Sequence, residues 1–98
     1  MQLTVGGTVS SGSSTFTVYI SDDTSDPNKF RWTQDGGDAS SEVAITTGAQ
    51  TLADSVTVTF SNDVGYTSGQ EWTLSATTSS ATLLTSPTQR YVGNSATA

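Results

Sequence analysis

Apolar side chains occupy every second position in four stretches of this chain, and this alternation constrains the fold more than any other feature. In residues 15–20, Phe16, Val18 and Ile20 alternate with threonine and tyrosine. The same pattern recurs in residues 29–33, 55–60 and 71–76. Because a period of two places successive side chains on opposite faces of a β-strand, each stretch is predicted to be a strand with one buried face.

Weaker strands are predicted from β-branched and aromatic content at residues 3–9, 43–45, 82–85 and 89–92. Clusters of Gly, Asn, Asp and Pro separate the strands, and no segment has the 3.6-residue apolar period of a helix. Short strands between close turns predict an all-β fold, either a small antiparallel β-sandwich or a partly open barrel. We expect a core in which Phe30 and Trp32 face Phe60 and Trp72 across two packed sheets.

The length of 98 residues fits one domain. Residues 1–76 hold the four clearest strands and are predicted to form the core of the sandwich. Residues 77–98 begin with a Thr/Ser stretch that resembles a linker, and they are predicted to pair as a C-terminal strand or to extend as an arm onto a neighbouring subunit. The residues expected to anchor such an assembly arm are Leu83, Leu84, Tyr91 and Val92.

The composition excludes several classes of function. Nine acidic residues against three basic ones give a net charge of −6, which repels phosphate backbones and anionic membranes, so we expect no nucleic acid and no membrane partner. The chain has no Cys and no His, which removes disulfides, thiolate metal sites and the commonest general base. Glu42 and Glu71 could in principle form a glycosidase-like pair, but such catalysis also needs a cleft that holds the sugar and a set separation of the two carboxyl groups. We expect a non-catalytic protein without a cofactor.

Three carboxylates in one loop, those of Asp22, Asp23 and Asp26, form a candidate calcium site beside Asn28. Calcium takes several oxygen ligands, and closely spaced carboxylates supply them. The loop lacks the ligand spacing of an EF-hand, and a solvated turn at Pro27 explains the same residues. A structural loop is therefore the favoured interpretation, and a metal site is the alternative.

The aromatic residues expected at the surface are Tyr19, Tyr66 and Tyr91. Tyr19 alternates outward from the apolar face of its strand, and the other two lie in or near turns. Exposed aromatic rings can stack on sugars, but single exposed aromatics are common on protein surfaces. Ordinary surface or subunit contact is the favoured interpretation, and carbohydrate binding is the alternative.

An ordered string of motifs runs through residues 29–76. In order, the motifs are Phe30-x-Trp32, Asp35-Gly36-Gly37, Val43-Ala44-Ile45-Thr46, Ala49-Gln50-x-Leu52, Val56-x-Val58-x-Phe60, Gly65-Tyr66-x-x-Gly69 and Trp72-x-Leu74-x-Ala76. This string resembles a β-rich repeat module of phage and other virion structural proteins, and of large surface proteins of marine microbes. Ser55 stands where that module more often has Gly. The resemblance implies a non-catalytic module on the exterior of a particle or a cell, and it supplies no functional residues.

These observations lead to one expected function and one alternative. The expected function is a non-catalytic structural protein on the exterior of a virus particle, in particular a phage capsid decoration protein that binds a protein lattice, alone or as a homo-oligomer. The first four residues lack the basic, apolar start of a signal peptide, and release at cell lysis would explain a surface-like composition without one. The alternative is a carbohydrate-binding or adhesive module of a larger extracellular or cell-surface protein, with a cell-surface glycan as its partner.

Overall fold

A computed structural model of the protein describes residues 3–86, and every regular element within that range is a β-strand. The strands are β1 (Leu3–Gly6), β2 (Ser13–Asp22), β3 (Lys29–Gln34), β4 (Val43–Ala44), β5 (Gln50–Thr51), β6 (Thr57–Phe60), β7 (Glu71–Thr77) and β8 (Ala81–Thr85). A strand is found in each predicted stretch within the described range. The short β5 was not predicted, and the strand predicted at residues 89–92 lies outside the described residues.

The strands form two antiparallel sheets packed face to face. One sheet has the order β1-β6-β5, and the other has the order β4-β3-β2-β7-β8. The longest strand, β2, lies at the centre of the larger sheet and pairs with β3 on one side and β7 on the other. The prediction of a small antiparallel β-sandwich is confirmed.

The core lies between the two sheets and is built from the inward side chains of the alternating strands. On β2, both Phe16 and Ile20 are at most 1% exposed. Phe60 of β6 lies at the centre of an aromatic cluster, with its ring centroid 5.1 Å from that of Phe30 and 5.5 Å from that of Trp72. These tilted and edge-to-face contacts add to the free energy gained by burying the rings.

The two tryptophans lie in one sheet, so the prediction that Trp72 faces Phe30 and Trp32 across the core is wrong. Val18 on β2 is opposite Trp32 on β3 and also opposite Trp72 on β7. The alternation gave the correct face for each side chain, but it carries no information about which strands share a sheet. Trp72 is 2% exposed, whereas Trp32 is only half-buried beside the core.

The Thr/Ser stretch predicted as a linker forms the turn of a β-hairpin between β7 and β8. The backbone N–H of Thr77 donates to the carbonyl oxygen of Ser80 at 2.8 Å. In β8, Leu83 lies opposite Leu74 and packs against the core. The assignment of Leu83 to an arm is therefore wrong, because its side chain belongs to the sandwich. Of the two alternatives for the tail, pairing as a strand holds for Ala81–Thr85.

Candidate functional site

Among the described residues, the outward face of the larger sheet carries one aromatic side chain, that of Tyr19. Its neighbours along β2, Val18 and Ile20, are at most 1% exposed, so the alternation directs Tyr19 away from the core. Tyr19 itself is half-buried. Its partner on β3 is Arg31, and its partner on β7 is Glu71. The ring thus lies between a cation and an anion on one row across three strands.

Hydroxyl side chains continue this face next to the Tyr19 row. Thr17 is opposite Thr33 on β3 and opposite Thr73 on β7, and Thr15 is opposite Ser75. We call these side chains, together with the Tyr19 row, the outer face, which consists of Thr15, Thr17, Tyr19, Arg31, Thr33, Glu71, Thr73 and Ser75. Its two charges are opposite in sign, and its other members are neutral. The outer face therefore presents mainly hydroxyl groups around one aromatic ring.

Tyr66 was expected at the surface, and this prediction is wrong. Its side chain is 5% exposed, and its ring lies 5.6 Å from Phe60 and 5.8 Å from Trp72 in edge-to-face contact. The hydroxyl donates to the carbonyl oxygen of Asn62 at 3.0 Å. Burial raises the pKa of the Tyr66 phenol. The loop between β6 and β7 folds back over the core, which local turn chemistry alone does not indicate.

Tyr91 and Val92 lie outside the described residues. Of the three tyrosines predicted to be exposed, Tyr19 is the one that the described part of the chain places at the surface. Sequence reasoning did not associate Arg31 and Glu71 with it. The signal that could have found them is the alternation itself, which directs Arg31 outward, but the pairing of β2 with β3 and β7 was needed to bring the three side chains together.

Asp22 and Asp23, at the end of β2, accept hydrogen bonds that fix their own loop and the loop before β7. Asp22 accepts hydrogen bonds from the N–H and the hydroxyl of Thr24, at 2.8 and 2.7 Å, and from the hydroxyl of Ser25 at 2.8 Å. These hydrogen bonds, chiefly the one from the Thr24 hydroxyl, lower the pKa of Asp22 to about 2. Asp23 instead accepts from the backbone N–H of Ser68 at 2.9 Å.

The structure does not bring the calcium candidates Asp22, Asp23 and Asp26 together. Within residues 3–86, no three acidic side chains are placed to share a metal ion. The glutamates of the glycosidase-like pair have different surroundings: Glu42 accepts a hydrogen bond from the Ser21 hydroxyl at 2.6 Å, and Glu71 belongs to the outer face. The surface formed by residues 3–86 has no pocket.

Two large apolar side chains are exposed in the described part of the chain. Leu84 on β8 is 55% exposed, and Val64 in the loop between β6 and β7 is 40% exposed. β8 is the last strand of the larger sheet and is hydrogen-bonded to β7. Among residues 3–86, Leu84 thus lies on an edge strand, next to backbone groups that no other described strand of that sheet uses. No helix within residues 3–86 has the length and hydropathy needed to cross a membrane.

Comparisons with known proteins identify no relative of this chain. No family model, no curated protein and no solved structure matches the chain. The resemblance of residues 29–76 to the virion and surface-protein module stays a prediction. Two surfaces within residues 3–86 can support a function, the edge of β8 and the outer face.

Proposed function

We propose that the protein is a non-catalytic structural subunit on the exterior of a virus particle, in particular a capsid decoration protein of a phage. The observation that carries the proposal is the edge strand β8 with its exposed Leu84. An edge strand presents backbone N–H and C=O groups to which a strand of another protein can add. An exposed leucine beside them supplies apolar area that such a contact would bury.

The composition of the surface supports assembly on a repeating lattice. Only 12% of the residues are charged, and Thr and Ser supply most of the polar surface of the larger sheet. Neighbouring copies on a lattice would therefore repel one another less than copies of a highly charged domain would. The resemblance of residues 29–76 to modules of virion proteins supports the same location.

Co-sedimentation with phage particles that lack the protein tests the proposal. The full chain should pellet with the particles, and Leu84→Lys should reduce the pelleted fraction, because a lysine on an edge strand opposes strand addition. Val64→Lys is the matched control, since it introduces the same charge at the other exposed apolar residue, outside β8. Circular dichroism and Tm should be unchanged in both variants.

Two results would contradict the proposal. Mass spectrometry of purified virions that contain none of this chain would exclude a particle subunit. Equal loss of binding in Leu84→Lys and Val64→Lys would show that added charge, rather than the edge of β8, weakens the contact.

A further inference from the structure

We propose that the outer face binds a neutral polysaccharide, with the ring of Tyr19 as the platform for one sugar unit. This inference does not depend on the proposed location on a virus particle. It rests on the row in which Tyr19 lies directly between Arg31 and Glu71. The functional groups on this row match the two kinds of surface that a sugar ring presents.

The Tyr19 ring suits the apolar side of a sugar. The C–H groups on one face of a pyranose carry partial positive charge, and the face of an aromatic ring is negative, so the two surfaces attract one another. Val18 and Ile20, which are buried in the core, fix the backbone on both sides of Tyr19. Tyrosine also has few rotatable bonds, so little conformational entropy is lost when it binds.

Arg31 and Glu71 suit the hydroxyl groups at the rim of a sugar. A guanidinium group carries several N–H donors in a fixed plane, and a carboxylate has two acceptor oxygens, so each can bind two adjacent hydroxyls. Directly opposite residues on neighbouring strands have Cβ atoms about 5 Å apart, so these two groups flank the ring on both sides. The Arg31 Nη1 lies 3.5 Å from the carbonyl oxygen of Ser40, which positions the side chain through a long hydrogen bond.

The hydroxyl rows beside Tyr19 extend the site along the sheet. Thr17, Thr33 and Thr73 form the next row, about 7 Å away along the strands, and each hydroxyl can donate or accept a hydrogen bond. The surface of residues 3–86 has no pocket, so a single sugar would bury little area. A polysaccharide that lies across the rows makes several such contacts at once, and its repeated units raise the effective affinity.

The electrostatics of the protein favour a neutral chain. Arg31 and Glu71 carry opposite charges on either side of Tyr19, and Lys29, which shares the outward face of β3 with Arg31, is opposite Asp22. The local charges therefore balance, while the whole protein carries a net charge of −6. That charge repels glycans rich in carboxylate or sulfate. The expected ligand is therefore a polysaccharide of uncharged pyranose units.

Affinity electrophoresis of the full chain in native gels tests the inference, since the protein migrates by its own charge and a neutral polysaccharide in the gel does not. The probes are a mixed-linkage β-glucan and a galactomannan, with alginate as the anionic comparison. We expect at least one neutral probe to retard the wild-type protein. Tyr19→Ala should weaken this binding by about tenfold or more, because it removes the central aromatic contact. Tyr19→Phe should retain most of it, since the ring remains.

Two further variants make the test specific to the outer face. Glu71→Gln changes an exposed carboxylate and should weaken binding without loss of the fold, so it keeps the test valid if Tyr19→Ala is unstable. Thr59→Ala on β6, in the smaller sheet, is the control and should bind like the wild type. Tm values measured for all variants separate lost binding from lost folding.

Three results would overturn the inference. In the first, neither neutral probe retards the wild-type protein, or alginate alone does. In the second, folded Tyr19→Ala and Glu71→Gln bind as the wild type does. In the third, analytical ultracentrifugation shows wild-type dimers and monomeric Tyr19→Ala, which would assign the outer face to a second copy of the chain.

Discussion

The side-chain oxygen of Asn28 accepts a hydrogen bond from the backbone N–H of Tyr66 at 3.1 Å, and both residues are buried. The other polar groups of Asn28 are used as well. Its Nδ2 donates to the carbonyl oxygen of Ser25, its N–H donates to that of Asp63, and its own carbonyl oxygen accepts from Ile45. One asparagine therefore joins the loop after β2, the loop after β6 and the end of β4.

Asn28→Asp should destabilise the protein by about 2 kcal/mol or more, because a buried carboxylate would face the Ser25 carbonyl oxygen in place of a donor. The matched control is Asn62→Asp, the same change at an exposed position, which should alter the free energy of unfolding by less than about 0.5 kcal/mol. Urea denaturation at neutral pH measures both. Equal values for the two variants would contradict the role of Asn28.

Gly7→Ala should be more harmful than Gly12→Ala, although both glycines have positive φ, at 87° and 63°. A Cβ atom on Gly7 would lie 1.7 Å from the carbonyl oxygen of Ser55, whereas one on Gly12 would meet nothing within 4 Å. Gly12→Ala should cost about 1 kcal/mol from backbone conformation alone. Gly7→Ala should cost several times as much or prevent folding, and thermal unfolding of both variants checks the order.

Trp72→Ala should cost about 3–5 kcal/mol, because it leaves a cavity beside Phe60 and Tyr66 at the centre of the aromatic cluster. Trp32→Ala should cost clearly less, since this side chain is half-buried and its described ring contact is with Phe16, at 5.9 Å. Chemical denaturation of the two variants gives the comparison. A larger loss of stability for Trp32→Ala than for Trp72→Ala would contradict the position of Trp72 at the centre of the core.

The strands could be predicted from the sequence because alternation is local. Phe16, Val18 and Ile20 identify β2 and its buried face without any knowledge of the partner strands. The two residues of β5 are too few to show a period, so that strand was missed. The sheet to which Trp72 belongs could not be predicted, since the order of strands in a sheet depends on pairing between distant segments of the chain.

The candidate site could be predicted only in part. Tyr19 was recognised as an outward aromatic residue because it lies within an alternating strand. Tyr66 was misassigned because it lies in a loop, where no period reports burial, and its position depends on the distant Asn28. Arg31 and Glu71 are 40 residues apart in the chain, and only the two pairings of β2 bring them to either side of Tyr19.

The pKa of Asp22 should be measurable by NMR titration of its carboxyl group, with a midpoint of about 2. Because the pKa is lowered from 3.8 on folding, the hydrogen bonds to Asp22 stabilise the fold above about pH 4 and are lost as the pH falls through about 2. Thr24→Ala removes the hydroxyl donor and should raise the midpoint. A wild-type midpoint near 3.8 would show that the loop does not hold the carboxylate in this way.

β8 should be required for the stability of the sandwich. Without residues 77–86, β7 would become the edge of the larger sheet, and the inward side chains of Ala81 and Leu83 would no longer cover the core. A fragment of residues 1–76 should therefore be less stable than a fragment of residues 1–86 by about 2 kcal/mol or more. Urea denaturation followed by tryptophan fluorescence compares the two fragments.

Point variants in the full chain separate the packing of β8 from the general effects of truncation. Leu83→Ala removes a side chain that contacts the core and should lower the free energy of unfolding by about 1–2 kcal/mol. Leu84→Ala, at the next position, removes a side chain that is 55% exposed and should change it by less than about 0.5 kcal/mol. If both variants and both fragments were equally stable, β8 would contribute nothing to the sandwich, and its residues would be free to act as an arm.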